Sequence, residues 1–118
     1  MAIALHHFFI LTEPGAPQAD LLASTGLIEG SCNDHPGQGT ANRRFFFSNT
    51  ALEFLYIRDV NEAKHGHAKR LRFSERVDNA KASPFGLIVA HDDTEPKNIP
   101  FPGWQYCPEY FRQHSGQI

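Results

Sequence analysis

Residues 35–59, HPGQGTANRRFFFSNTALEFLYIRD, contain the pattern that decides the fold of this chain. The segment opens with a turn rich in proline and glycine, two residues that favour tight connections between strands. Two short apolar runs follow, at residues 43–47 and Ala51–Ile57, and both are rich in aromatic or β-branched residues. Runs of this length and composition predict a pair of antiparallel β-strands.

The second of these strands carries one carboxylate among its apolar residues. Because side chains alternate between the two faces of a strand, Glu53 shares a face with Ala51, Leu55 and Ile57. That face is the one that the apolar residues assign to the core. A buried carboxylate is costly unless it is paired or bound to a metal, so Glu53 is the first candidate for a functional residue.

Three further elements are predicted before this segment. Residues 4–11 form an apolar run that indicates a strand, and its alternation places His6 and His7 on opposite faces. Residues 17–25 predict a short helix, and residues 27–32 a short second strand. The predicted order up to residue 59 is therefore β-α-β-β-β.

The pattern weakens after residue 59. Residues 61–72 predict a basic, solvent-exposed helix that Asp59 or Asn61 caps, and the histidines at 65 and 67 have no metal-ligand spacing of their own. Residues 84–90 predict one more strand. From residue 92 onward the sequence is rich in proline and aromatic residues and predicts an irregular tail.

Composition limits the class of protein. A chain of 118 residues with 41% hydrophobic and 20% charged residues predicts a single globular domain. A net charge of −2 gives no electrostatic case for nucleic acid, and no apolar run is long enough for a membrane span. The first residues do not form a secretion signal, so we expect a cytoplasmic protein in which Cys32 and Cys107 are reduced.

Several segments together resemble the glyoxalase-like branch of the vicinal oxygen chelate superfamily, which includes glyoxalases, bleomycin-resistance proteins and dioxygenases. They are LHHFFIL, GLIEGSCNDHPGQGTANRRFFF and ALEFLYIRD, followed by PFGLIVA and IPFPGWQY. The resemblance implies an α+β fold with a curved mixed or antiparallel sheet. It implies one complete βαβββ module at residues 1–59, then a partial second module with the aromatic tail at residues 60–118.

The resemblance also implies a metal site. His7 matches the ligand position of the first strand and Glu53 that of the fourth, and such a pair suits zinc, iron, manganese or nickel. The third ligand position holds Phe85 and Gly86, so one chain offers two ligands. A second chain, related by a two-fold axis, could supply the others, and Glu53 could then act catalytically by shuttling a proton.

Other residues are candidates for ligand binding. Arg43 and Arg44 lie on opposite faces of a predicted strand, so at most one of them, beside Asn42, could clamp a carboxylate or phosphate. A salt bridge or a solvated strand edge is the alternative for these arginines. Trp104 could stack against a ligand or pack over a sheet edge.

Three functions remain open on this evidence. The favoured one is a small-molecule-binding protein with an aromatic-lined cavity, which the ten phenylalanines support and the incomplete ligand set permits. The second is a metal-dependent enzyme with a site shared across a homodimer. The third is a shortened relative that serves as an interaction module. A sheet with one uncovered apolar face predicts a homodimer in each case.

Overall fold

The computed structural model describes residues 3–91 and Pro102. Within this part of the chain, one five-stranded sheet packs against short helices. The strands are β1 (Ile3–Leu11), β2 (Asn33–His35), β3 (Thr40–Phe46), β4 (Ala51–Ile57) and β5 (Phe85–His91). The helices are α1 (Gln18–Ser24), α2 (Val60–His65) and α3 (Phe73–Val77), with a 3₁₀ turn at Lys69–Leu71. None of these helices is long and apolar enough to cross a membrane.

The sheet is mixed and open. Its strand order is β2-β3-β4-β1-β5, in which β1 runs parallel to β4 and every other neighbouring pair is antiparallel. The parallel pair requires a crossover, and α1 with β2 and β3 supplies it. The predicted α+β class, the mixed sheet and the β-α-β-β-β order are confirmed, and the described strands do not close into a barrel.

The predicted second strand at residues 27–32 is wrong. Only Glu29 of that segment forms a bridge, to Phe45 of β3, and Ile28 is 87% exposed. The ladder forms later, in β2, where Asn33 pairs with Asn42. The apolar residues of the earlier segment face solvent, so they gave a misleading signal of a buried strand.

The predicted helix at residues 61–72 is interrupted. Asp59 caps α2 as predicted, because its side chain accepts a hydrogen bond of 3.1 Å from the backbone N–H of Glu62. The helix ends at Gly66, whose backbone lies so close to the carbonyl oxygen of Gly37 that a side chain would overlap it. The chain continues as the 3₁₀ turn and then α3, which the sequence did not predict.

The sheet buries apolar side chains on both faces. On the face that carries Glu53, here called the site face, the core is Phe9, Leu11, Leu55, Ile57, Ala63 and Phe73, covered by α2 and α3. On the other face, here called the α1 face, the core is Ala16, Ala19, Phe45 and Phe54. One aromatic pair packs edge to face in each core, with ring centroids about 6 Å apart.

Candidate functional site on one face of the sheet

Four strands bring polar side chains together on the site face. Glu53 of β4 lies opposite Phe9 of β1 and opposite Arg44 of β3 in the strand register. Residues that face each other across neighbouring strands share a face of the sheet. The same register places three further polar side chains around the carboxylate, one each from β1, β2 and β3. We call this set the carboxylate cluster, and its members are His7, His35, Asn42 and Glu53.

Glu53 is buried, with 7% of its surface exposed, and its two oxygens have different partners. Oε1 lies 3.3 Å from Nε2 of His7. Oε2 accepts a hydrogen bond of 2.5 Å from Nδ2 of Asn42, and Nε2 of His35 lies 3.7 Å from the same oxygen. Oε2 is therefore enclosed by two buried side chains, whereas Oε1 faces His7, which is partly exposed.

The cluster stabilises the ionised form of this carboxylate. Burial on its own raises the pKa of Glu53, but the hydrogen bonds from His7 and Asn42 act against it. The net result is a pKa below the ordinary value for glutamate. Glu53 is thus an anion at neutral pH, as a metal ligand or an acceptor for a ligand must be.

The orientation of the Asn42 amide follows from the β-ladder. Its Oδ1 accepts a hydrogen bond of 2.7 Å from the backbone N–H of Asn33, and a backbone N–H can only donate. The amide nitrogen Nδ2 must then face the carboxylate of Glu53 and Nε2 of His35, which is 3.4 Å away. Asn42 is only 2% exposed, so it donates to Glu53 from within the packed interior and is not accessible to solvent.

His35 supports the cluster from the edge strand β2. Its Nδ1 lies 2.8 Å from Oγ1 of Thr40, which also accepts from the amide of Gln38. Burial lowers the pKa of His35, and the neighbouring Arg44 lowers it further against the opposing effect of Glu53. A neutral imidazole can accept from Asn42 at Nε2 and donate to Thr40 at Nδ1, which satisfies both contacts.

His6 and His7 lie side by side, although strand alternation predicts opposite faces. The register of β1 against β5 shifts between Leu5 and His7, so that His6 is an extra residue in β1. This β-bulge breaks the alternation locally. The Nδ1 atoms of the two imidazoles are 2.8 Å apart and their ring centroids 5.0 Å apart.

Arg43 lies on the α1 face, away from the carboxylate cluster. Its guanidinium donates to both carboxylate oxygens of Glu29, at 2.7 and 2.8 Å, and to Asp20 at 2.8 Å. It also donates to the backbone oxygen of Ala16 at the start of the α1 region. These contacts join β3 to the loops on either side of α1, and they lower the pKa of Glu29.

Arg44 is the arginine on the site face. Its guanidinium donates to the backbone oxygen and the hydroxyl of Ser31, at 2.9 and 2.8 Å, and it lies 4.8 Å from the ring centroid of Phe46. Phe46 itself is 53% exposed. A cation on an exposed aromatic ring therefore lies next to the ionised Glu53 along the same face.

Two members of the site were missed in the sequence. His35 lies in the predicted turn. A strand at Asn33–His35, paired with β3, is needed to place it on the face of Asn42. His6 could not be found from alternation, because the bulge that turns its ring has no signature in the strand pattern. Trp104 lies outside the residues that the structure describes.

Two other features of the described residues bear on the predicted chemistry. No group of three or more His, Cys, Asp or Glu side chains in residues 3–91 is arranged to hold a metal ion. A shallow pocket of about 280 Å³ lies near the end of β1, where Thr12, Gln18 and Arg76 contribute to its lining. Its lining includes no aromatic ring and no member of the carboxylate cluster.

Comparison of the chain with protein-family models, with curated proteins and with solved structures finds no match.

Proposed function

We propose that this chain is a glyoxalase-like protein that binds a small organic molecule on the site face, beside Glu53. The observation that carries the proposal is the arrangement of four residues selected from the sequence. Glu53 contacts His7 and Asn42, and Arg44 lies opposite it on the next strand. Residues that are remote in the chain thus share one face.

The architecture also supports the proposed class. The complete βαβββ order occupies the first half of the chain, and β5 pairs directly with β1. We take β5 as the first strand of a partial second module. On this reading, His7 and Glu53 lie on the two adjacent parallel strands, β1 and β4, that carry the site residues in the superfamily.

The chemistry of the face indicates what it recognises. Glu53 Oε1 accepts hydrogen bonds from a donor such as an amine or hydroxyl group. Arg44 can bind a carboxylate or phosphate, and Phe46 offers an exposed ring for stacking. The ligand class is therefore a small ring compound that carries both a hydrogen-bond donor and an acidic group.

A fragment screen by NMR tests this proposal. We expect small aromatic amino acids and hydroxy acids to shift the amide signals of β1, β3 and β4 near Glu53. Arg44→Ala should weaken binding of acidic fragments by roughly tenfold, because a charge-assisted hydrogen bond is lost. Arg58→Ala, which removes another partly exposed arginine at the end of β4, is the control and should leave the shifts intact.

One distance favours a metal-dependent enzyme as the second candidate. The His7 Nε2 to Glu53 Oε1 separation of 3.3 Å is longer than a typical N–H···O hydrogen bond. It matches the separation of about 3.4 Å between two ligands that bind one zinc ion tetrahedrally at about 2.1 Å each. His7 and Glu53 would hold the ion, which would polarise oxygens of a small substrate.

The remaining ligands of such an ion would come from a second copy of the chain. A two-fold axis that brings together the His7 and Glu53 pairs of two chains gives four ligands, so the ratio is about one metal per two chains. Metal content of protein purified without chelator, for the native sequence and for His7→Ala, tests this candidate. If neither protein takes up zinc, nickel, manganese or iron, the enzyme candidate is wrong and the binding protein stands alone.

A further inference from the structure

The β-bulge in β1 changes the environment of the candidate site. His6 is exposed, and a regular strand would direct its ring away from the site face. The extra residue between Leu5 and His7 turns the ring onto its neighbour instead. The backbone oxygen of His6 accepts a hydrogen bond of 3.3 Å from Oγ1 of Thr50, which holds the bulge from the β4 side.

The roles in this contact follow from Glu53 when the site holds no metal. An ionised carboxylate can only accept, so the His7 nitrogen that faces it, Nε2, carries a proton. A neutral His7 then has an unprotonated Nδ1. The partner 2.8 Å away is Nδ1 of His6, which must therefore carry the proton and donate it.

We propose that His6 is a positioning residue of the site, turned by the β-bulge so that its Nδ1 holds Nδ1 of His7 and directs His7 Nε2 toward Glu53. This inference rests on the proposed function, because it assigns His6 a role at that site. It also deepens that function, because the ring that contacts the ligand-binding oxygen of Glu53 is itself held in place by His6. Imidazoles that bind cations are commonly fixed in this way through their second nitrogen.

The contact serves both candidate functions. In a metal-free site, His6 donates to His7 and leaves Nε2–H directed at the carboxylate. Where His7 binds a cation through Nε2, its own Nδ1 carries the proton, and His6 accepts through the same Nδ1–Nδ1 contact. Two neutral imidazoles can exchange donor and acceptor roles without moving.

The test is long-range ¹H–¹⁵N correlation NMR of the imidazole rings in the full chain without ligand, at neutral pH. We expect His6 to be protonated at Nδ1 and His7 at Nε2, with a ¹⁵N shift at His7 Nδ1 that reports an accepted hydrogen bond. In His6→Ala that shift should move to the value of a solvent-exposed nitrogen. In His6→Asn, whose amide nitrogen occupies nearly the place of Nδ1, it should return.

A matched control and a second readout separate this inference from the proposed function. His65→Ala removes an exposed histidine whose ring bonds only within α2, to Asn61, so the spectrum of His7 should not change. If the native protein binds Zn²⁺ in calorimetry, His6→Ala should weaken the binding by about tenfold. If it binds none, the metal candidate fails while the ring spectra still decide the role of His6.

Two results would overturn the inference. One is a His6 ring protonated at Nε2 in the native protein freed of metal. The other is a His7 spectrum, or a measured Zn²⁺ affinity, that His6→Ala leaves unchanged.

Discussion

The two faces of the sheet differ in whether their charged side chains are paired with an opposite charge. The neighbouring residues Arg43 and Arg44 lie on different faces. On the α1 face, Arg43 is fully engaged by Glu29 and Asp20, so its charge is neutralised by the fold itself. On the site face, Glu53 has no arginine or lysine partner among the described residues and is held by an amide and a histidine. A charge that the fold leaves without a full counter-ion is available to a ligand.

Packing differs between the faces as well. On the α1 face, α1 packs over Phe45, which is 1% exposed, whereas the next residue, Phe46, points to the site face and is half exposed. Within β3, stability should therefore depend more on Phe45, and binding more on the exposed part of the site face around Phe46.

The largest effect is expected from Phe45→Ala. Removal of a fully buried ring that packs against Phe54 should lower the free energy of unfolding by about 3–5 kcal/mol. Phe46→Ala on the opposite face should cost less than about 1 kcal/mol. Urea unfolding followed by circular dichroism measures both variants, and equal losses would contradict the buried position of Phe45 and the exposed position of Phe46.

A smaller loss, about 2–4 kcal/mol, is expected from Asn42→Ala. This change leaves Oε2 of Glu53 without its donor in a buried position, and it also removes the partner of the Asn33 N–H. A double-mutant cycle with Glu53→Gln should give a coupling energy above about 1 kcal/mol. Additive losses in the cycle would show that the two side chains do not act together.

The two arginines should separate stability from binding. Arg43→Ala should lower the free energy of unfolding by about 1 kcal/mol, because its ion pairs are partly open to solvent and therefore screened. Binding of acidic fragments should not change in this variant. Arg44→Ala should leave stability within about 0.5 kcal/mol and weaken that binding. The reverse pattern in fluorescence titration would place the ligand on the α1 face.

The smallest effect is expected in the pH dependence of stability. Folding lowers the pKa of His35 below 6.5, so the unfolded chain binds this proton more tightly, and stability falls as pH drops below about 6.5. Folding also lowers the pKa of Glu53 below 4.5, which adds a second loss below about pH 4.5. Thermal unfolding from pH 8 to 4 measures both, and His35→Gln should flatten the first part of the curve. A native profile that is flat between pH 6.5 and 5 would contradict the buried, neutral His35.

The sequence predicts correctly those elements whose position depends on the pattern of their own residues. Ala51–Ile57 was placed to the residue, since its apolar residues are buried in the centre of the sheet, and the same alternation placed Glu53 correctly among them. The strand β2 was not found, because its three polar residues carry no hydrophobic signal. Its position depends on a side chain of another strand, Asn42, which binds the Asn33 backbone.

The predicted site likewise contains residues that local sequence patterns place and residues that depend on pairing with other strands. Strand faces and the resemblance predict His7, Asn42, Glu53 and one of Arg43 and Arg44 as site residues. The structure places Arg44 with the first three on one face and Arg43 on the other. His6 and His35 are not predicted at the site, because the position of His6 depends on a β-bulge and that of His35 on the true start of β2. The bulge arises from the pairing of β1 with β5, which is distant in sequence, and the start of β2 from a hydrogen bond to the Asn42 side chain. Local hydrophobic patterns encode neither.

The hydrogen bond from the Asn33 backbone to Asn42 also determines how a substitution of Glu53 would change the donor and acceptor groups of the site. It allows the Asn42 amide only one orientation, with its nitrogen toward position 53. In Glu53→Gln, the new side chain must turn its own oxygen to Asn42, and its NH₂ group then takes the place of Oε1. His7 must then present an unprotonated Nε2, which it does by exchanging roles with His6. A single isosteric substitution thus converts the outward atom from an acceptor into a donor. The same backbone would then select ligands that present a carbonyl oxygen in place of an amine.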